Sequence, residues 1–107
     1  MQYLDLMKAA GFEKEATTGA AGWTAAEVTV AILKQAQASP QGLTRASIIN
    51  AARNFTYTPM LARDGVVDKS MGASDPYLAE SLQVLQYDAT KKVFNDIGSL
   101  ITDFETK

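Results

Sequence analysis

The run Thr24-Ala25-Ala26-Glu27 and the residues that follow it to about Gln37 set the strongest constraint on this chain. A Thr hydroxyl that accepts from an amide three residues on, with a Glu reaching back, is a capping box, so the spacing predicts a helix beginning at Thr24. At 100° per residue, Ala25, Ala26, Val28, Val30, Ile32, Leu33 and Ala36 spread well beyond a single apolar stripe. Only a narrow strip through Glu27, Lys34, Gln35 and Ala38 is left for water. A helix of that kind is covered on more than one side. One domain of 107 residues builds a single small core, so the pattern points either to a second layer or to a partner surface outside the chain. The other reading is that the remaining elements suffice.

Composition removes several function classes. The apolar share of 47% is that of a globular chain. The formal net charge is −2 with no run of like charge, which argues against nucleic acid or an anionic membrane as the main partner. Histidine and cysteine are both absent, which removes disulfides, thiolate metal sites, the best zinc ligands and the Ser-His and Cys-His nucleophiles. No catalytic residue, metal ligand or cofactor motif is assigned, and the expectation is a protein that is not an enzyme. Glu13, Glu15, Asp64, Asp68 and Asp75 read as solvated loop charges, since nothing fixes a pair of them at acid-base spacing. No apolar run is long enough to span a membrane, and no targeting signal is evident.

In chain order, residues 2–10 predict a short helix with Tyr3, Leu6, Met7 and Ala10 on one face, ending at Gly11. Phe12 to Gly22, rich in Thr, Gly, Ala and charge, predicts a loop leading to the capped helix. Ser39-Pro40-Gln41-Gly42 is a turn, and Thr44 caps a third helix from Arg45 to about Asn54. Residues 56–80 read as a long connection with room for at most a short strand at Gly65 to Lys69. A connection of that length is either a functional loop or a crossing between lobes. Ser81–Asp88 and Lys92–Ile97 predict a hairpin about Asp88-Ala89-Thr90-Lys91. Gly98 is expected to break its second strand. Apolar residues on both faces of the first strand (Leu82 and Val84 against Leu85 and Tyr87) predict an interior or doubly covered position.

The order of Gly22-Trp23 with its apolar helix, then "GLTRASIINAARN", then "ESLQVLQYDATKKVFNDIGSLI" resembles one family. It is similar to the C-terminal part of the type I periplasmic binding proteins, the substrate-binding subunits of branched-chain amino acid ABC transporters. The resemblance rests on order and spacing and covers essentially the whole chain. It implies an α+β fragment of an α/β two-lobed binding protein, with three helices, a long loop and a C-terminal β-hairpin. Residues 1–55 would be helices of the first lobe, 56–80 a crossing loop, and 81–107 the hairpin and tail. It also implies an extracytoplasmic location with a possible lipid anchor, a small-molecule ligand such as an amino acid, and a membrane permease as partner. The fragment itself would bind little. The ligand-binding residues implied are Ala20, Ala21, Gly22 and Trp23, in the loop before the long helix. Trp23 either packs on a ligand or fills the core. Two other classes are carried beside this one. The order of three helices and a hairpin is also that of a winged-helix DNA-binding domain, with Arg45 and Arg53 on its third helix. A self-associating interaction domain, a homodimer joined through the long helix, is the other.

Overall fold

The computed structural model describes residues 2–102. Three α-helices are followed by two separate antiparallel strand pairs. The first helix, α1 (Gln2–Ala9), is closed by Gly11, whose φ of 80° lets Gly11 donate to the Lys8 carbonyl and Phe12 to that of Met7. A single 3-10 turn at Glu13–Glu15 then leads directly into α2 (Ala16–Gln37), a helix of 22 residues. The predicted loop is therefore helical, and Thr24 sits inside α2 instead of capping it.

The reason is tertiary. Tyr3 of α1 is 3% exposed, donates its hydroxyl to the Ala16 carbonyl, and meets Trp23 edge to face at 5.3 Å between ring centroids. A Cβ on Gly19 would lie 2.9 Å from the Tyr3 hydroxyl oxygen. Gly19 is thus the place where α1 comes close, and packing of α1 there supports a turn of helix that local propensity alone leaves weak. The Glu27 carboxylate, freed from capping, accepts from the Tyr57 hydroxyl and the Met60 amide, each at 2.9 Å.

The cap predicted for the third helix is present. In α3 (Arg45–Arg53) the Thr44 hydroxyl accepts from the Ser47 amide at 3.1 Å, and the Ser47 hydroxyl accepts from the Thr44 amide at 2.9 Å. The chain then goes straight into β1 (Asn54–Tyr57), which pairs with β2 (Asp68–Met71). The expected unstructured connection is thus partly a strand pair, and Phe55 belongs to a strand. Phe55 is 3% exposed and stacked on Tyr57. The other buried apolar residues are Tyr3, Ala16, Ala36 and Ala51, and since Ala16 and Ala36 stand about 30 Å apart along α2 they belong to two small clusters, one at each end of the helix.

The C-terminal hairpin, β3 (Leu82–Asp88) with β4 (Val93–Ile101), forms as expected. The Asp88 carboxylate accepts from the amides of Thr90 and Lys91, and Lys92 takes a φ of 56° to complete the turn. Gly98 does not end β4. Its φ of 70° accompanies a register shift opposite Leu82–Val84, so the strand bends and continues. The hairpin is also not interior: Leu82, Leu85, Tyr87, Phe94 and Ile97 are all exposed. The ion pair between Arg63 and Asp96 links it to the turn after β1.

The result is a slab of 55 × 41 × 16 Å with a radius of gyration of 16.8 Å, against about 13 Å for a compact domain of this length. Its accessible surface is 8205 Å². A compact monomer of this mass exposes roughly 5,800 Å².

Candidate functional site

Two grooves run along opposite flanks of α2, and they divide the residues predicted from sequence. The first, of about 460 Å³, lies between α2 and the stretch from Leu61 to Ala79, with Ala20 and Ala21 on its helical wall. Trp23 is turned to the second, of about 510 Å³, where it joins Glu27, Val30, Lys34, Tyr57 and Met60. Gly22 lines neither. It is exposed, and a Cβ built on it would meet nothing within 4 Å. The four residues therefore form no single loop site, because a helix distributes consecutive side chains around its axis.

The first groove owes its chemistry to β2. In a strand, alternate side chains face one way, so Asp68 and Ser70 share the buried side and Lys69 the exposed one. Ser70 is fully engaged: its hydroxyl donates to the Ala52 carbonyl and accepts from the Phe55 amide. Asp68 is only 8% exposed, yet among the described residues its carboxylate takes part in no hydrogen bond or ion pair. Burial pushes its carboxyl above the usual carboxylate range. Facing it across the groove are the small side chains of Ala20, Ala21 and Ala25, the Thr24 hydroxyl, and the apolar walls of Val28, Leu61 and Leu78. The reading of Asp68 as a solvated loop charge is therefore corrected. The signal that marks it is the polar alternation Asp68-Lys69-Ser70, legible only once Asn54–Tyr57 is known to supply a partner strand.

In the second groove, Glu27, Tyr57 and the Met60 amide occupy one another. Glu27 holds the segment after β1 against α2, and the Tyr57 hydroxyl that donates to it has its pKa raised by that hydrogen bond and then by desolvation. The Trp23 indole Nε1 is buried without a partner. Lys34 is exposed at the open end. Among the described residues no group of three or more acidic, His or Cys side chains is placed to hold a metal ion, and no helix is long and apolar enough to cross a membrane.

Comparison of the chain with models of known protein families, with curated proteins and with solved structures finds no match. The functional reading therefore stands on the residues and their geometry, together with the sequence resemblance.

Proposed function

We propose that this chain is the closing part of an extracytoplasmic solute-binding subunit of an ABC transporter, of the two-lobed type I periplasmic binding protein class. Its ligand would be an amino acid or a related small molecule, and its macromolecular partner a membrane permease. The observation that carries this reading is the surface the chain leaves uncovered. Some 2,400 Å² more is accessible than a compact chain of this mass exposes. The excess includes the outward face of α2 (Gly22, Ala25, Ala26, Val30, Leu33) and both faces of the terminal hairpin. Those are the surfaces that a further layer of the same lobe and a second lobe would cover, and hinge closure of two lobes is the common mode of small-solute capture. Ala20 and Ala21, on a groove wall, supply the small side chains that let a ligand approach the helix closely.

The winged-helix alternative has less in its favour. Arg53 is committed to the Ala73 carbonyl at 3.0 Å, and the terminal hairpin does not pack along α3.

The test is calorimetric. The protein purified from its source is titrated with a panel of amino acids and small amides. Saturable one-to-one binding of at least one, with a negative heat-capacity change from lobe closure, is the expected result. Silence across the panel, from a folded protein freed of bound ligand, would count against the reading.

A further inference from the structure

We infer that the free edge of β3 is a docking site for a second copy of this chain, the two hairpins joining edge to edge about a twofold axis into one four-stranded antiparallel sheet. The inference goes beyond the solute-binding reading and does not rest on it. A second lobe would cover the faces of the hairpin, whereas the polar groups of an edge are best satisfied by another strand.

Three observations combine. First, the edge is open and its polar groups are aimed outward. Among the described residues β3 pairs with β4 alone. The Gln83 side-chain amide donates to the carbonyls of both Val84 and Ile97, at 3.1 Å each, so Val84 turns its backbone toward β4. By alternation Leu85 and Tyr87 turn theirs away from it, and among the described residues no other group hydrogen-bonds to them there. The ring contact of Tyr87 with Phe94, 5.1 Å between centroids, fits that phase, since side chains lie closer in the pairs that exchange no hydrogen bonds. Second, the two edges are unequally protected. β4 carries Asp96, ion-paired to Arg63, and bends at Gly98, and both features discourage pairing on that side. From Leu82 to Tyr87, β3 has no charge and no proline. Third, β3 complements itself. Antiparallel pairing centred on Leu85 sets that residue against its own copy, Val84 against Gln86 and Gln83 against Tyr87, with no like charges opposed. A contact of that symmetry closes at two chains, and a hairpin that is marginal alone becomes part of a four-stranded sheet. Apolar surface is there to be buried: Leu82, Val84, Leu85 and Tyr87 are 52%, 43%, 44% and 53% exposed. The chain as a whole exposes about 2,400 Å² more than a compact chain of its mass, against about 800 Å² that each partner buries in a stable complex.

The test is sedimentation velocity of the chain over a wide concentration range, joined to amide hydrogen exchange. A monomer–dimer equilibrium is expected, with exchange at Leu85 and Tyr87 slowing as the dimer fills. Leu85→Lys, which sets like charges across the axis, should weaken dimerisation by about tenfold or more. Val30→Lys, on the bare face of α2, should leave it unchanged. Leu85→Cys, in a chain with no cysteine of its own, should cross-link to its copy on mild oxidation, because residues opposed at the axis lie within disulfide reach, whereas Asn95→Cys on β4 should not. Exchange in the unsubstituted chain and the cross-link decide the matter should Leu85→Lys disturb the hairpin. A monomer at every concentration, assembly beyond two chains, a dimer dissolved by Val30→Lys, or exchange at Leu85 and Tyr87 that ignores concentration would each overturn the assignment.

Discussion

Two glycines three residues apart on α2 should respond to the same substitution in opposite directions. Gly22 is exposed on a helix interior, and a Cβ there meets nothing within 4 Å. Gly22→Ala therefore acts only through helix propensity and chain entropy, and should stabilise by about 0.5–1 kcal/mol. Gly19→Ala gains the same term, but its Cβ would lie 2.9 Å from the Tyr3 hydroxyl oxygen and 3.1 Å from the Met7 Cε. Met7 can yield. Tyr3 cannot move without losing its hydrogen bond to the Ala16 carbonyl and its edge-to-face contact with Trp23. Leaving that buried hydroxyl without a partner costs about 1–3 kcal/mol, so the net effect is a destabilisation of about 1–2 kcal/mol. The two variants should differ by roughly 2 kcal/mol, or about 8–16 °C in melting temperature. Urea and thermal denaturation followed by circular dichroism would measure this. If both variants shift in the same direction by the same amount, the docking of α1 on α2 at Gly19 is wrong. A Gly22→Ala variant that is neutral or destabilised would return residues 16–22 to a loop.

Other expectations follow from the same contacts. Trp23→Ala should destabilise by about 2–4 kcal/mol through loss of packing on Tyr3, whereas Trp23→Phe should cost much less because it also removes the unpartnered indole N–H; chemical denaturation separates the two. The raised carboxyl pKa of Asp68 means that its protonated form favours the fold. That contribution is present below the unfolded value near 3.8 and is lost as pH rises through the folded value, so Asp68→Asn should be the more stable protein at pH 7 and the difference should close below about pH 4. Tyr57, with its pKa raised by Glu27, contributes stability below about pH 10 that disappears as pH rises through its folded value; Tyr57→Phe should remove that alkaline step from a pH series of melting curves. The bare outward face of α2, with Val30 49% and Leu33 37% exposed, should make the isolated chain bind a hydrophobic dye or self-associate. Light scattering that finds a dye-silent monomer at high concentration would contradict the uncovered-surface argument.

Local grammar made much of this fold readable, and tertiary contacts decided the rest. The Thr44 cap, the short α1 ending at Gly11 and the terminal hairpin are set by neighbours within a few residues, and each was legible. The excess of apolar positions on α2 was also legible, and it corresponds to the exposed face seen here. The start of α2 was not. A strong capping box at Thr24 competes with a start at Ala16 that is supported by the Tyr3 hydroxyl, thirteen residues away, and by the close approach of α1 at Gly19. β1 alternates Phe55 and Tyr57 with Asn54 and Thr56, but over only four residues running straight on from α3, and β2 shows no such alternation; their pairing across the residues between Tyr57 and Asp68 is what defines them. That missed pairing hid the candidate site. Ala20 and Ala21 were placed near a ligand for reasons of family resemblance, but the group that gives the groove its charge, Asp68, becomes a buried residue only when β2 turns it inward.

The most direct test of the central claim is the intact mass of the polypeptide that carries this chain, measured by top-down mass spectrometry on unproteolysed source material. The account predicts a polypeptide several times longer, in which the uncovered face of α2 and the terminal hairpin are covered by additional elements. A mature product that consists of these 107 residues alone, and stays monomeric in solution, would contradict it.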